Sequence, residues 1–128
     1  MTASPEALAL VAVAAQAASD KLATDIVAFD VSQQLVITDA FLVCSAANDR
    51  QVVAIVDEIE EQVRLQLGHK PARREGDRDA RWVLLDFIDV VVHVQHVEER
   101  VYYSLERIWR DCPLIALPQS AQVAGESR

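Results

Sequence analysis

Paired carboxylates are the first pattern in this sequence that could do chemistry, because aspartates held close together can bind a divalent metal ion. Asp77 and Asp79 have a suitable spacing, but they alternate with arginines in a stretch typical of a solvated loop. Asp39, Asp86 and Asp89 could meet at an edge of a sheet. Asp86 and Asp89, however, bracket a short connection between two apolar runs, where turn formation alone accounts for an aspartate. The acidic residues therefore favour turn and surface roles over a metal site.

Histidines and nucleophiles are the second pattern. His93 and His96 are three residues apart, so on a strand their side chains point to opposite faces, which is unsuitable for a shared metal ion. Cys44 and Ser45 lie in an apolar run without the glycines of a nucleophile elbow. The chain has only 3 glycines, too scattered for a phosphate-binding loop. We therefore expect no catalysis and no cofactor.

Composition indicates one acidic globular domain. The chain has 128 residues, of which 52% are hydrophobic, and a formal net charge of −8. Such a charge disfavours binding to anionic lipid or to bare nucleic acid, so we expect no membrane partner and no direct sequence-specific nucleic-acid binding. A basic protein surface is the partner that this charge favours. We expect Cys44 and Cys112, far apart in sequence, to be reduced and inert.

The N-terminal region lacks the features of a targeting segment. Its uncharged stretch, 7–19, is shorter than the ~18–20 residues of a membrane span. Glu6 precedes that stretch, and no basic segment leads into it. We therefore expect a cytoplasmic protein.

The elements that must position these residues follow from periodicity and from helix-capping residues. The pattern predicts an α+β domain over 1–113, a small mixed sheet flanked by helices in two or three layers, and a flexible C-terminal tail over 114–128. The expected order is α-β-β-α-β-β-α, with helices at 5–23, 49–67 and 98–109, strands at 26–31, 82–86 and 90–94, one or two strands within 35–45, and a loop over 69–80.

The two apolar runs predict an antiparallel hairpin. With a two-residue loop at Phe87 and Ile88, Asp86 faces Asp89, and the side chains separate by alternation into two sets. One set is aliphatic, as expected for a core, and the other is mixed: Trp82, Leu84, Asp86, Val91, His93 and Gln95. The mixed face is typical either of an interface with an aromatic anchor or of core covered by a helix, and the pattern leaves both open. A three-residue loop would swap the faces of one strand. On the last helix, Tyr103 lies off the apolar stripe and is a further candidate contact.

Several separated motifs together resemble the ribosomal silencing factor family (RsfS, also called Iojap-like). The first signature is Ile37-Thr38-Asp39-x-Phe41-x-Val43 with Ser45, then Arg50-Gln51-Val52-x-Ala54-Ile55; the second is Glu75-Gly76, Trp82-x-x-Leu85-Asp86 and Asp89-Val90-Val91-Val92-His93, completed by Arg100, Tyr103, Leu105-Glu106 and Trp109. They span roughly residues 5–112. The chain departs from the family pattern at Ala46 and at Ile88, where the family usually has glycine.

The resemblance implies a fold similar to nucleotidyltransferases without their catalytic residues. It also implies a homodimer that binds the large ribosomal subunit through ribosomal protein L-fourteen and blocks joining of the small subunit, which damps translation when nutrients are scarce. Matching the motif makes Trp82 the anchor, with Leu84, Val91 and His93 beside it. From the acidity of the chain, we expect the carboxylates of Asp86, Asp89 and Glu106 to meet Arg or Lys of the partner. The alternative is a degenerate, metal-dependent nucleotidyltransferase-like enzyme that uses Asp39, Asp86 and Asp89.

Overall fold

Five strands form one mixed sheet with helices on both faces. The structure, a computed structural model, describes residues 2–118 except the side chains of Tyr102 and Tyr103. In chain order the elements are α1 (Pro5–Asp20), β1 (Thr24–Asp30), β2 (Ala40–Ala46), α2 (Asp49–Leu67), β3 (Arg73–Glu75), β4 (Trp82–Asp86), β5 (Val90–His96), α3 (Val97–Tyr103) and α4 (Leu105–Trp109). The spatial order is β1-β2-β5-β4-β3, with β2 and β5 parallel and the other neighbours antiparallel. The predicted α+β class with a small mixed sheet is confirmed.

Helices α1 and α2 cover one face of the sheet, and local capping sets where they begin. The Ser4 hydroxyl accepts a hydrogen bond from Ala7 N–H at 3.1 Å, and the Asn48 side chain accepts one from Gln51 N–H at 2.9 Å. Gly68 ends α2 in the left-handed conformation, φ 71°. The predicted bounds of α2 are confirmed, whereas α1 ends at Asp20 and not at residue 23.

The predicted element order is wrong at two places. The expected loop over 69–80 contains the edge strand β3, whose charged residues gave no strand pattern but which pairs with β4. The expected last helix is interrupted at Ser104, which adopts φ 42° and ψ 59° and separates α3 from α4. Only β2 forms within 35–45. The observed order is therefore α-β-β-α-β-β-β-α-α.

The hairpin register is also wrong, although its faces are right. Asp86 lies opposite Val91, and Trp82 lies opposite Gln95, two residues away from the expected pairs. Phe87 N–H donates to the Val90 carbonyl at 2.9 Å, so the turn consists of Ile88 and Asp89. A shift of two residues preserves the side-chain alternation. The aliphatic set Val83, Leu85, Val90, Val92 and Val94 is fully buried under the helices, as predicted.

The two cysteines lie in different cores, on opposite faces of the sheet. Cys44 belongs to the core under the helices and Cys112 to a smaller core on the opposite face, and both are buried free thiols. Burial raises the pKa of the Cys44 thiol to about 12.

Beyond α4, the chain returns to the sheet. Pro113 accepts a hydrogen bond from Asp30 and Ile115 donates one to Ala28, both on β1. The predicted tail thus begins with residues that contact the sheet. Its remainder from residue 119 lies outside the described residues, and the predicted domain boundary stays a prediction.

Within residues 2–118, no helix is both long enough and apolar enough to cross a lipid bilayer.

Candidate functional site

The sheet face opposite α1 and α2 divides into an exposed part and a covered part. On β4 and β5, the side chains of Trp82, Leu84 and Val91 are partly exposed. Toward β2, Ser45 and Gln95 on the same face are fully buried. The sequence left open whether this face is an interface or helix-covered core, and in the structure one part of the face is partly exposed while the other is buried. We call Trp82, Leu84, Asp86 and Val91, with His93 at their centre, the Trp82 surface.

A hydrogen bond fixes the aromatic centre of the Trp82 surface. The indole Nε1 of Trp82 donates to Nδ1 of His93 at 3.1 Å, and the two ring centroids are 6.0 Å apart. His93 is 7% exposed, and this burial lowers its pKa to about 4. The imidazole is therefore neutral at pH 7. Its Nε2 is buried and has no hydrogen-bond partner among the side chains that the structure describes.

An aromatic row links the Trp82 surface to α4. The ring of Phe41 on β2 meets His93 edge to face at 5.4 Å between centroids, and meets Trp109 of α4 in the same way at 5.0 Å. Trp109 packs on the small core of Phe29, Val31 and Cys112. Trp82 thus stands at the open end of a packed row whose other end is anchored by α4.

A buried arginine ties α3 and α4 to the sheet. Arg100 is 8% exposed; its Nη1 donates to Ser45 Oγ at 2.8 Å and its Nε to Glu106 Oε2 at 2.9 Å. Glu106, predicted to meet a cation of a partner, already pairs with this internal one. The structural role of Arg100 was missed because Ser45 lies 55 residues away and no local pattern connects them.

The other two carboxylates predicted to contact a partner, those of Asp86 and Asp89, differ in whether they already have partners within the chain. Asp86 Oδ1 accepts the Ile88 N–H at 2.8 Å, and Asp86 Oδ2 lies 3.3 Å from Arg73 Nη2. Asp89 is exposed at the hairpin turn. Of the three predicted acidic contacts, only Asp89 therefore has a carboxylate that makes no hydrogen bond or ion pair within the described part of the chain. The side chain of Tyr103 lies outside the described residues.

The carboxylates of the enzyme alternative do not form a metal centre. Asp39 Oδ2 accepts the Ser4 N–H at 2.9 Å, which holds the start of α1 against the sheet, and Asp86 is engaged as described. In the described part of the chain, no group of three or more His, Cys, Asp or Glu side chains could hold a metal ion. The carboxylates of Asp39 and Asp86 have structural roles in this fold.

A shallow cleft borders the Trp82 surface. It measures about 260 Å³ and is lined by Glu75, Gly76, Trp82 and Leu84. A Cβ atom at Gly76 would overlap the Trp82 carbonyl oxygen, so this position requires glycine both for space and for its φ of 96°. The close approach of Gly76 positions the start of β4, and with it the indole.

Comparison with known proteins gives one consistent result. A family model described as ribosomal silencing factor during starvation matches residues 4–128. The ribosomal silencing factor RsfS of Bacillus subtilis is 47% identical over 105 residues, which cover 82% of this chain and 88% of that protein.

Two crystal structures are similar in fold. A protein from Bacillus halodurans superimposes with a TM-score of 0.73 at 40% identity, covering 89% of this chain and all of that one. A protein from Chromobacterium violaceum gives a TM-score of 0.76 at 29% identity, covering 80% and 84% of the two chains. The curated relatives from Bacillus subtilis and Halalkalibacterium halodurans are both named ribosomal silencing factor RsfS, a regulatory role. Sequence motifs, fold and relatives agree, and the chain belongs to the ribosomal silencing factor family.

Proposed function

We propose that this protein binds the large ribosomal subunit through ribosomal protein L-fourteen and sterically blocks joining of the small subunit. In this proposal it acts in the cytoplasm as a homodimer, without chemistry, and damps protein synthesis when nutrients are scarce. Membership in the silencing-factor family supports a ribosomal target. The Trp82 surface is the part of the molecule that we propose to contact this target.

The observation that carries the proposal is the partly exposed Trp82 surface, on a sheet face that is buried toward β2. Trp82, Leu84 and Val91 offer apolar area beside the polar side chains of Asp86 and His93. This composition is typical of an interface anchor and its polar rim. The hydrogen bond to His93 holds the indole in one orientation before binding. A preorganised aromatic side chain loses little conformational entropy on docking, which favours affinity.

Charge supports a protein target over bare RNA. The chain carries a formal net charge of −8, so its general field repels phosphate backbones and attracts basic protein surfaces. Asp89 lies exposed at the hairpin turn, next to the Trp82 surface. Its carboxylate is the one that we propose to meet Arg or Lys of the partner.

Co-sedimentation with purified large subunits tests the proposal. Wild type is expected to pellet with the subunits, and a folded Trp82→Ala variant to lose ~2–4 kcal/mol of binding, about thirtyfold or more in Kd. Leu65→Ala is the matched control, because Leu65 is an exposed apolar residue on α2, which covers the other face of the sheet. It should bind as wild type does.

A different result would contradict each part of the proposal. Wild type that stays in the supernatant at micromolar concentration would remove the ribosomal target. Equal binding by wild type and Trp82→Ala would keep the target and reject the Trp82 surface. Binding to isolated L-fourteen, light scattering of mixed subunits and sedimentation velocity of the protein alone separately test the partner, the block on subunit joining and the homodimer.

A further inference from the structure

The turn of the β4–β5 hairpin contains an unusual residue for its backbone conformation. Ile88 has φ 74°, and it is the one β-branched residue with a positive φ among residues 2–118. The left-handed region crowds a branched Cβ against the backbone, so glycine or asparagine would be less strained there. The identity of Ile88 therefore does not serve the stability of the turn.

Contact with solvent does not explain the choice of isoleucine at position 88 either. Ile88 is 49% exposed, so a large alkyl group faces water at the turn of the β4–β5 hairpin. The chain from Val36 to Asp39 reaches the same end of the sheet, because Asp39 N–H donates to the Asp89 carbonyl at 2.8 Å. That segment adds exposed Ile37, which is 72% exposed. Apolar side chains thus collect at the hairpin end without a covering element among the described residues.

The strained turn is held by hydrogen bonds on both sides of Ile88. Asp86 Oδ1 accepts the Ile88 N–H at 2.8 Å, and Phe87 N–H donates to Val90 O at 2.9 Å. The Asp89 carbonyl accepts from both Asp39 and Ala40. The turn is therefore fixed before any partner arrives, and strain retained in a fixed, exposed position is typical of functional sites.

We infer that Ile88 is an apolar contact residue for the ribosomal protein partner, extending the Trp82 surface to the hairpin turn and packing into an aliphatic recess of that basic partner. The inference rests on the proposed function and adds a residue that determines specificity for the same partner. Leu84 and Val91 on the strands and Ile88 at the turn belong to one hairpin, and Asp89 follows Ile88 in that turn.

Two substitutions at Ile88 separate binding from folding. Ile88→Gly and Ile88→Asn both relieve the positive φ and both remove the alkyl group, so the melting temperature should hold or rise by a few degrees. Binding to large subunits should weaken about five- to tenfold, the effect of losing a partly buried aliphatic contact. A gain in stability with a loss of binding is a result that simple unfolding cannot produce.

Leu22 supplies a matched control. It is 78% exposed and has φ 65°, so Leu22→Gly and Leu22→Asn relieve the same kind of strain and remove an alkyl group with the same number of carbon atoms. It precedes β1 at the sheet end where Thr24 pairs with Ser45, whereas Ile88 lies at the end where Ala40 pairs with Val90. The Leu22 variants should match the Ile88 variants in stability and wild type in binding.

The outcomes distinguish the two proposals. If wild type binds and the Ile88 variants bind equally well, the role of Ile88 is rejected while the proposed function stands. If wild type does not bind, both are rejected. If the Ile88 variants change only self-association in sedimentation velocity, a second copy of this chain covers the turn, and the inferred partner is wrong.

Discussion

The indole Nε1 of Trp82 and the imidazole Nδ1 of His93 are joined by a 3.1 Å hydrogen bond across the β4–β5 pair. Since the indole can only donate, Nδ1 must be the acceptor, which assigns the proton of the neutral imidazole to Nε2. A protonated His93 could not accept this bond. The orientation of the proposed anchor is therefore linked to the charge of a buried histidine.

This link predicts that stability depends on pH. Burial lowers the pKa of His93 from 6.5 to about 4 in the folded chain. Between these values the unfolded state binds a proton that the folded state does not, so stability is full above about pH 6.5 and falls as the pH drops toward 4. The loss attributable to His93 should total roughly 3 kcal/mol, measured by urea unfolding across this range.

His93→Asn isolates that contribution. The asparagine oxygen can accept the indole N–H but does not titrate, so the variant should be less sensitive to pH than wild type over the same window. His69→Asn changes an exposed histidine and should leave the pH dependence of wild type unchanged. Identical slopes for wild type and His93→Asn would contradict the assignment of a depressed pKa to His93.

Gly76 predicts a second, steric effect on the Trp82 surface. A Cβ at Gly76 would overlap the Trp82 carbonyl oxygen, whereas a Cβ at Gly68 meets no atom within 4 Å, although both glycines have positive φ. Gly68→Ala should lower the free energy of unfolding by about 1 kcal/mol through backbone strain alone. Gly76→Ala should cost roughly 2 to 3 kcal/mol, because β4 must also move.

Urea midpoints at unchanged m-values measure both glycine variants. The displacement of β4 should also weaken binding to large subunits in Gly76→Ala and not in Gly68→Ala. Equal losses of stability in the two variants would show that the contact with Trp82 carries no energy.

The mixed face of the hairpin could be predicted from the sequence because side-chain alternation has a period of two. That period sorts Trp82 from Val83 whatever the exact pairing, and the observed offset of two residues leaves the sorting intact. The register itself was wrong because Ile88 accepts a positive φ that its branched side chain disfavours. Asp86 stabilises this turn through its side chain, a contact that propensity does not reveal.

The parts that the sequence could not predict depend on long-range contacts. The interruption at Ser104 lets α4 turn back so that Trp109 reaches Phe41 and Glu106 reaches Arg100. A helical pattern continues through that position, because periodicity does not register a single left-handed residue. The pairing of β3 with β4 likewise depends on its neighbour, since charged residues give no strand signal.

The Arg100–Glu106 pair gives the third prediction, about how α4 is held. Arg100→Met keeps the apolar stem but removes the guanidinium that bonds Ser45 and Glu106, and should cost about 2–4 kcal/mol of stability. Glu106→Gln should cost less, about 1 kcal/mol, because a neutral acceptor oxygen remains. If the two side chains act as a pair, the double variant should cost about 1–3 kcal/mol less than the sum, measured in a double-mutant cycle by urea unfolding.

Arg107→Met is the control for this cycle, because Arg107 is exposed on the same helix and its substitution should change stability by less than about 0.5 kcal/mol.

Trp109 fluorescence adds a local readout, since α4 carries that indole against Phe41. A Trp82→Phe background leaves Trp109 as the sole tryptophan. Its emission should shift to longer wavelength in Arg100→Met as α4 loosens. An additive cycle with unchanged Trp109 emission would mean that the Arg100–Glu106 pairing contributes nothing to the position of α4.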